Sequence, residues 1–354
     1  MIRVLVVDDS ALVRRVLSEE LSKFPDIKVV GTAVDPYMAR DRIKELEPDV
    51  LTLDVEMPRM DGLSFLRKLM KHYPLPTVVV SSLTPENSEN ALRALELGAV
   101  EVIPKPGSQY TVPEVGRSLV RAVRAASKAR LEKVRRKLRP EGEEREVPPP
   151  LPGTMETTHK VLGIGASTGG TQAIESVLTS LPPNTPGIAI VQHMPGGFTT
   201  SFAARLNDIC AMTVREAMDG DILAPGLALL APGGHHLLVQ RNGALYQVRI
   251  KGGPPVNRHK PSVDVLFQSL AESAGRNALG VLLTGMGADG AKGMLALKQA
   301  GAFTVAQDED TAVVFGMPKA AIDLGAAEAV LPLQKVPETI LQVLPGRTGT
   351  SVTV

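Results

Sequence analysis

The chain has 354 residues, 44% of them apolar, a formal net charge of +1 and a single cysteine, Cys210. That length suits two domains, each able to bury a core, and the near-neutral balance provides no global field for nucleic acid or an anionic membrane. One cysteine excludes an intramolecular disulfide framework and a cysteine-rich zinc site, and fits a reducing compartment with Cys210 as small core filler.

From Ile2 to about Ala126, short β-branched runs at 3–7, 28–33, 50–53, 77–80 and 100–103 alternate with stretches of helical spacing. This alternation predicts a parallel sheet covered on both faces, with ligands bound beyond the carboxyl ends of the strands. The chain enters its first strand without a charged-then-apolar leader, and no run approaches the ~20 apolar residues of a membrane span. A cytoplasmic location without membrane insertion is therefore expected.

Chemistry gathers on one edge of this first sheet. Asp8 and Asp9 follow the first strand, Asp54 ends the third, Ser81 and Ser82 end the fourth, and Lys105 follows the fifth. Three carboxylates repel one another and suit a hard divalent cation. With a lysine beside it, such an ion could neutralise a phosphoryl group in transfer to one carboxylate. The plainer reading is helix capping, for which Asp8 or Asp9 is placed ahead of 10–21. The motifs Val-Val-Asp-Asp-Ser at 6–10, Asp-Val-Glu-Met-Pro and Met-Asp-Gly within 54–62, and Pro-Lys-Pro at 104–106 resemble the receiver domain of two-component signalling, over 1–125. The resemblance implies that Asp54 accepts the phosphoryl group from a histidine kinase. It further implies that Asp9, Asp54 and the Glu56 backbone carbonyl ligate Mg2+, that Asp8 supports through water, and that Ser81 and Lys105 form the switch pair. The position three before Lys105, often aromatic in receivers, is Val102, so a Ser81-centred shift is expected rather than a rotating ring.

A basic helical pattern with Arg130, Lys133, Arg135 and Arg136, then Glu-rich and Pro-rich stretches, reads as a solvated linker over 126–156. A second alternation follows, with strand candidates at 161–165, 187–192, 278–284 and 303–306. Between Leu227 and Ile250 the pattern turns to short strands, and Asn242-Gly243 between 237–240 and 244–250 signals a hairpin decorating an otherwise parallel sheet.

The turn Gly165-Ala166-Ser167-Thr168-Gly169-Gly170 suits either of two chemistries. Glycines allow a sharp strand-to-helix bend, and the helix start offers N–H groups to an oxyanion or to a phosphate. A dinucleotide fingerprint is not met here, because the glycine spacing is wrong and His193, not an acid, ends the next strand. A serine nucleophile needs an imidazole to remove its proton and a carboxylate to fix that imidazole's tautomer. Ser167, His193 and Asp289 supply them after three separate strands. The order Ser, His, Asp differs from that of α/β-hydrolases. Of the other histidines, His235 and His236 read as solvated or capping residues in a Pro-Gly-Gly turn, His259 as a contact for an acidic partner, and His72 and His159 as surface residues.

The blocks Gly-Ala-Ser-Thr-Gly-Gly, Gln-His-Met-Pro and Thr-Gly-Met-Gly-Ala-Asp-Gly resemble the catalytic domain of the CheB family of chemotaxis protein-glutamate methylesterases, over 157–345 with a tail at 346–354. The resemblance implies Ser167 as nucleophile, His193 as base, Asp289 as orienting acid, and Thr168 with the Met286 amide at the oxyanion. It also implies γ-glutamyl methyl esters of chemoreceptors as substrates, deamidation of receptor glutamines, no cofactor for the ester chemistry, and an unphosphorylated receiver covering the cleft. The fold class expected is α/β, two doubly wound parallel-sheet domains, the first flavodoxin-like and the second Rossmann-like with an added hairpin. Two rivals are a transcriptional regulator and a scaffold with an inactive esterase domain. Nothing after Gly153 reads as helix-turn-helix, so no DNA partner is expected.

Overall fold

The computed structural model describes residues 1–107, 110–131 and 160–343, which belong to two compact units, Met1–Glu141 and Gly142–Val354. Most of the expected linker, His159 and the tail at 346–354 lie outside the described residues.

The first unit alternates β1 (Ile2–Val7), α1 (Ala11–Ser22), β2 (Ile27–Ala33), α2 (Pro36–Leu46), β3 (Val50–Asp54), α3 (Gly62–His72), β4 (Thr77–Ser81), α4 (Pro85–Glu96), β5 (Glu101–Pro104) and α5 (Val112–Ala126). Its five strands are parallel in the order β2-β1-β3-β4-β5. β3 and β4 are buried along their whole length, as expected of strands covered by helices on both faces. One face of the sheet, through Val4, Val6, Val78 and Val80, packs with Leu17 and Leu21 of α1 and with Val115, Leu119 and Val123 of α5. The four-residue spacing of those α5 residues puts them on one stripe. Sequence order reverses at β1, which lies between β2 and β3, and such a reversal opens a crevice at the carboxyl ends of the strands.

The second unit runs β6 (Val161–Ala166), α6 (Gly170–Leu178), β7 (Ile188–Gln192), α7 (Phe198–Ile209), β8 (Thr213–Glu216), β9 (Leu227–Leu230), β10 (His236–Asn242), β11 (Leu245–Lys251), α8 (Val263–Ala274), β12 (Ala278–Leu282), α9 (Ala291–Gln299), β13 (Phe303–Gln307), α10 (Met317–Asp323), β14 (Ala329–Leu331) and α11 (Val336–Val343). Seven parallel strands take the order β14-β13-β12-β6-β7-β9-β8. Here the reversal falls at β6, between β7 and β12.

Three details depart from expectation. β10 and β11 form an antiparallel pair of their own rather than an extension of the large sheet, and bury Leu237, Val239, Tyr246 and Val248 against Leu266, Phe267 and Leu270 of α8. Because Asn242 pairs with Leu245, the two turn residues are Gly243 and Ala244, with Gly243 at φ +59°. Cys210 is half-buried at the end of α7, not in the core.

Candidate functional site

In the first unit, the ends of β1, β3 and β5 bring Asp8, Asp54 and Lys105 together. Lys105 Nζ lies 2.6 Å from Asp54 Oδ2 and 3.4 Å from Asp8 Oδ2, and both carboxylates are essentially buried. Burial pushes the Asp54 carboxyl up to about 6 against the opposing pull of Lys105. Burial likewise raises Asp8, and Lys105 itself is raised by its two acidic neighbours despite desolvation. Asp8, exposed Asp9 and Asp54 each offer an oxygen within 4.8 Å of the others, and Asp8 Oδ2 is buried without a hydrogen-bond partner. An all-oxygen donor set with one buried carboxylate oxygen free of any hydrogen bond, and two buried carboxylates facing a single lysine, fits a hard divalent cation.

The capping alternative for Asp8 and Asp9 yields to Ser10, whose side chain caps α1 while Asp8 Oδ1 accepts from the Ser10 N–H. Glu56 donates its N–H to Asp54 Oδ1, and its carboxylate accepts from the Ser82 hydroxyl. Ser81 is buried, and its hydroxyl makes long contacts to the Ser82 and Asn87 carbonyls rather than reaching Asp54.

In the second unit, Ser167 leaves β6 and His193 leaves β7 as neighbours, since Ala166 pairs with Gln192 and the His193 N–H donates to the Ala166 carbonyl. Asp289 follows β12 on the other side of β6. Gly169 stands at φ +76° as the residue before α6, a conformation glycine adopts without the cost an L side chain meets. The turn is pinned from three sides. The Ser167 N–H donates to the Thr284 carbonyl, Gln192 Nε2 donates to the Ser167 carbonyl at 2.9 Å, and the Thr284 hydroxyl donates to the Thr168 carbonyl at 3.0 Å. Gly285, the residue before Met286, runs so close that a Cβ there would lie 2.7 Å from Ser167 Cβ. Among the described residues the Met286 N–H makes no backbone hydrogen bond.

His193 Nε2 is 2.8 Å from Asp289 Oδ2. An ionised carboxylate only accepts, so Nε2 carries the proton. His193 Nδ1 is then the basic nitrogen, and it is buried without a hydrogen-bond partner. Ser167 Oγ therefore makes no hydrogen bond to Nδ1.

Asp289 is buried yet accepts from Asn257 Nδ2 (2.7 Å), the Ser262 hydroxyl (2.7 Å) and the backbone N–H groups of Val263 (2.7 Å) and Asp264 (3.3 Å) as well. Burial alone would raise this carboxyl, but the bonds from His193, Asn257 and Ser262 outweigh it and hold the group below the usual carboxylate range. The same oxygens serve as N-cap of α8, whose first N–H groups favour an anion. Asp264 in turn accepts from the Gly293 N–H in the first turn of α9 and from Asn257; burial and the nearby Asp289 charge raise it.

His259, Asn257 and Ser262 were not singled out for this site from sequence. His259 stacks flat on His193, centroids 3.7 Å apart and planes 5° from parallel. The one legible signal was Ser262 ahead of an apolar helical run, which reads as an ordinary N-cap. His236 is buried, with Nε2 3.0 Å from the Pro254 carbonyl, so its expected solvated role is corrected, whereas His235 and His72 are exposed.

A CheB methylesterase family model matches residues 162–340, and a response regulator receiver model matches 4–114. A protein-glutamate methylesterase/protein-glutamine glutaminase of Syntrophus aciditrophicus is 54% identical over 343 residues, spanning 97% of this chain and 99% of the relative. A protein of the same description from Pectobacterium atrosepticum is 54% identical over 342 residues, 96% of each chain. Among solved structures, the Thermotoga maritima CheB methylesterase catalytic domain is 40% identical with a TM-score of 0.51, covering 52% of this chain and 98% of that one.

Proposed function

The chain belongs to the CheB methylesterase family, and from that premise we propose that Ser167, His193 and Asp289 carry out its ester and amide hydrolysis. The protein is a phosphorylation-regulated protein-glutamate methylesterase and protein-glutamine glutaminase. Its substrates on this reading are γ-glutamyl methyl esters and glutamines of chemoreceptors, and it acts in the cytoplasm; no helix among the described residues is long and apolar enough to cross a membrane.

The observation that carries the reading is the buried, unpartnered Nδ1 of His193 on a ring whose other nitrogen is held by Asp289. Ser167 Oγ attacks the γ-carbonyl carbon and gives its proton to Nδ1, while Asp289 stabilises the imidazolium through Nε2–H. On this reading Thr168 and the Met286 N–H stabilise the developing oxyanion. Methanol, or ammonia from glutamine, departs with the proton from Nδ1 and leaves an acyl ester on Ser167. Water then attacks that ester, Nδ1 takes its proton, and the freed Ser167 oxygen recovers it as γ-glutamate leaves. The domain division this reading uses is receiver at 1–125, linker at 126–156, esterase at 157–345 and tail at 346–354.

In the receiver, Asp54 takes the phosphoryl group from a histidine kinase. Asp8, Asp9, Asp54 and the Glu56 carbonyl would hold Mg2+, which when bound offsets phosphoryl charge. Lys105, now on Asp54, would pass to the phosphoryl group, with Ser81 as the second switch residue. The test is methanol release from methylated receptor membranes by the full chain. Ser167→Ala is expected to lose several orders of magnitude, and Asp54→Asn to lose the response to a phosphodonor. Full rate in the former overturns the site, and a retained response in the latter overturns the assignment of Asp54.

A further inference from the structure

We propose that the Asn257-Arg258 turn is a positioning element of the esterase site, laying the His259 ring on His193 while carrying the Asn257 amide to Asp289. This rests on the reading of His193 as the base. Val256 and His259 exchange backbone hydrogen bonds of 3.0 and 2.9 Å, and both residues between them have positive φ, +51° at Asn257 and +67° at Arg258. That is the signature of a two-residue turn of the I′ kind, tight enough to fix what its flanks present. Asparagine tolerates this conformation because of its short polar side chain. Its Nδ2 bridges two buried carboxylates, 2.7 Å from Asp289 Oδ1 and 2.6 Å from Asp264 Oδ2, and so sets the acid's orientation where two like charges would otherwise face each other.

On the other flank, His259 covers the base. The face of an imidazole carries neither an N–H nor an in-plane lone pair, so a stacked neighbour leaves both His193 nitrogens to Asp289 and Ser167. Rotation of the His193 ring about its Cβ–Cγ bond would carry Nε2 off Asp289 and Nδ1 away from the serine, and the flat ring 3.7 Å away opposes that rotation. His193, His259 and Asp289 also lie close enough to suggest a metal site. Ring geometry argues against it, because lone pairs in parallel planes do not converge on one ion, and both Asp289 oxygens are already engaged.

The test compares His259→Ala and His259→Phe in the full chain, reading kcat and KM for methanol release and the NMR signal of the His193 Nε2 proton. A positioning role predicts that His259→Ala lowers kcat about 10- to 100-fold, the scale of a small misplacement of a catalytic group. KM should stay within about twofold, the Nε2 proton signal should broaden, and Phe, flat but without nitrogens, should restore both. Should the alanine variant not fold, His259→Leu takes its place against His259→Phe. Wild-type kcat in His259→Ala, or in His259→Leu where it stands in, overturns the proposal, as does a phenylalanine variant no better than the non-aromatic one. Ser167→Ala assayed alongside separates the two failures. If it stays active, the site itself is misassigned; if it is dead while the non-aromatic variant turns over normally, only the positioning role falls.

Discussion

Replacing Asp289 with asparagine changes one atom and should disable the site through tautomer control. In the native arrangement Oδ1 accepts from Asn257, Ser262 and the Asp264 N–H, and Oδ2 accepts from His193 Nε2 and the Val263 N–H. An amide at this position has one acceptor to share among five donors. With its oxygen on the three-donor side, its NH2 meets Val263 N–H, donor against donor, and points a proton at His193 Nε2. The imidazole must then carry its own proton on Nδ1, where it blocks acceptance from Ser167. A loss of about 10⁴ in kcat is expected, the scale of the wrong-tautomer effect in serine triads. The orphaned Val263 N–H adds a destabilisation of about 1–3 kcal/mol. Initial-rate methanol release and urea unfolding of the same preparation read the two effects separately. An Asp289→Asn protein that is folded and within about tenfold of wild-type kcat would refute the tautomer argument.

Three further outcomes follow from the same contacts. Gly285→Ala places a Cβ 2.7 Å from Ser167 Cβ, so a strain cost of about 1–3 kcal/mol and a fall in kcat with little change in KM are expected; unchanged kinetics would contradict the close approach. Asp289 is held below its ordinary value of 3.8, so its ionised form is favoured in the folded state. Its stabilising contribution is present above about pH 3.8 and is lost as pH falls below that value. Urea midpoints between about pH 4 and 2 should therefore drop more steeply in the native chain than in Asp289→Asn, and parallel curves would argue against it. In the receiver, Lys105→Met removes the cation that opposes burial of Asp54, so carbon-detected NMR titration should move that carboxyl above about 6; a downward move would reverse the cause assigned here.

Much of this architecture was legible because it rests on local pattern. Strand-helix alternation is written in β-branched runs and amphipathic spacing, and parallel sheets place strand-end residues on one edge. Asp54 with Lys105, and His193 with Asp289, could thus be grouped from positions far apart in the chain. The segment 252–261 was not legible in the same way. Its residues pair across a turn made by Asn257 and Arg258 at positive φ, and nothing in residue type announces an arginine there. The stack of His259 on His193 also depends on how that turn meets the residue after β7, a tertiary fact without a periodic signature. Ser262 illustrates a different loss of information: it occupies an N-cap position, yet its hydroxyl serves Asp289, and Asp289 caps the helix instead. β14, three residues long, is too short for alternation to register.

The central claim is that Ser167 is the nucleophile, and the most direct measurement titrates activity against modification of that one side chain. The full chain is treated with increasing amounts of a fluorophosphonate, the labelled peptide is mapped by mass spectrometry, and residual methanol release from methylated receptor membranes is recorded for each sample. The account predicts label on Ser167 alone, with activity falling in proportion to the labelled fraction and reaching zero at one label per chain. Full activity in chains completely labelled at Ser167, or activity lost in step with label on another residue, would contradict it.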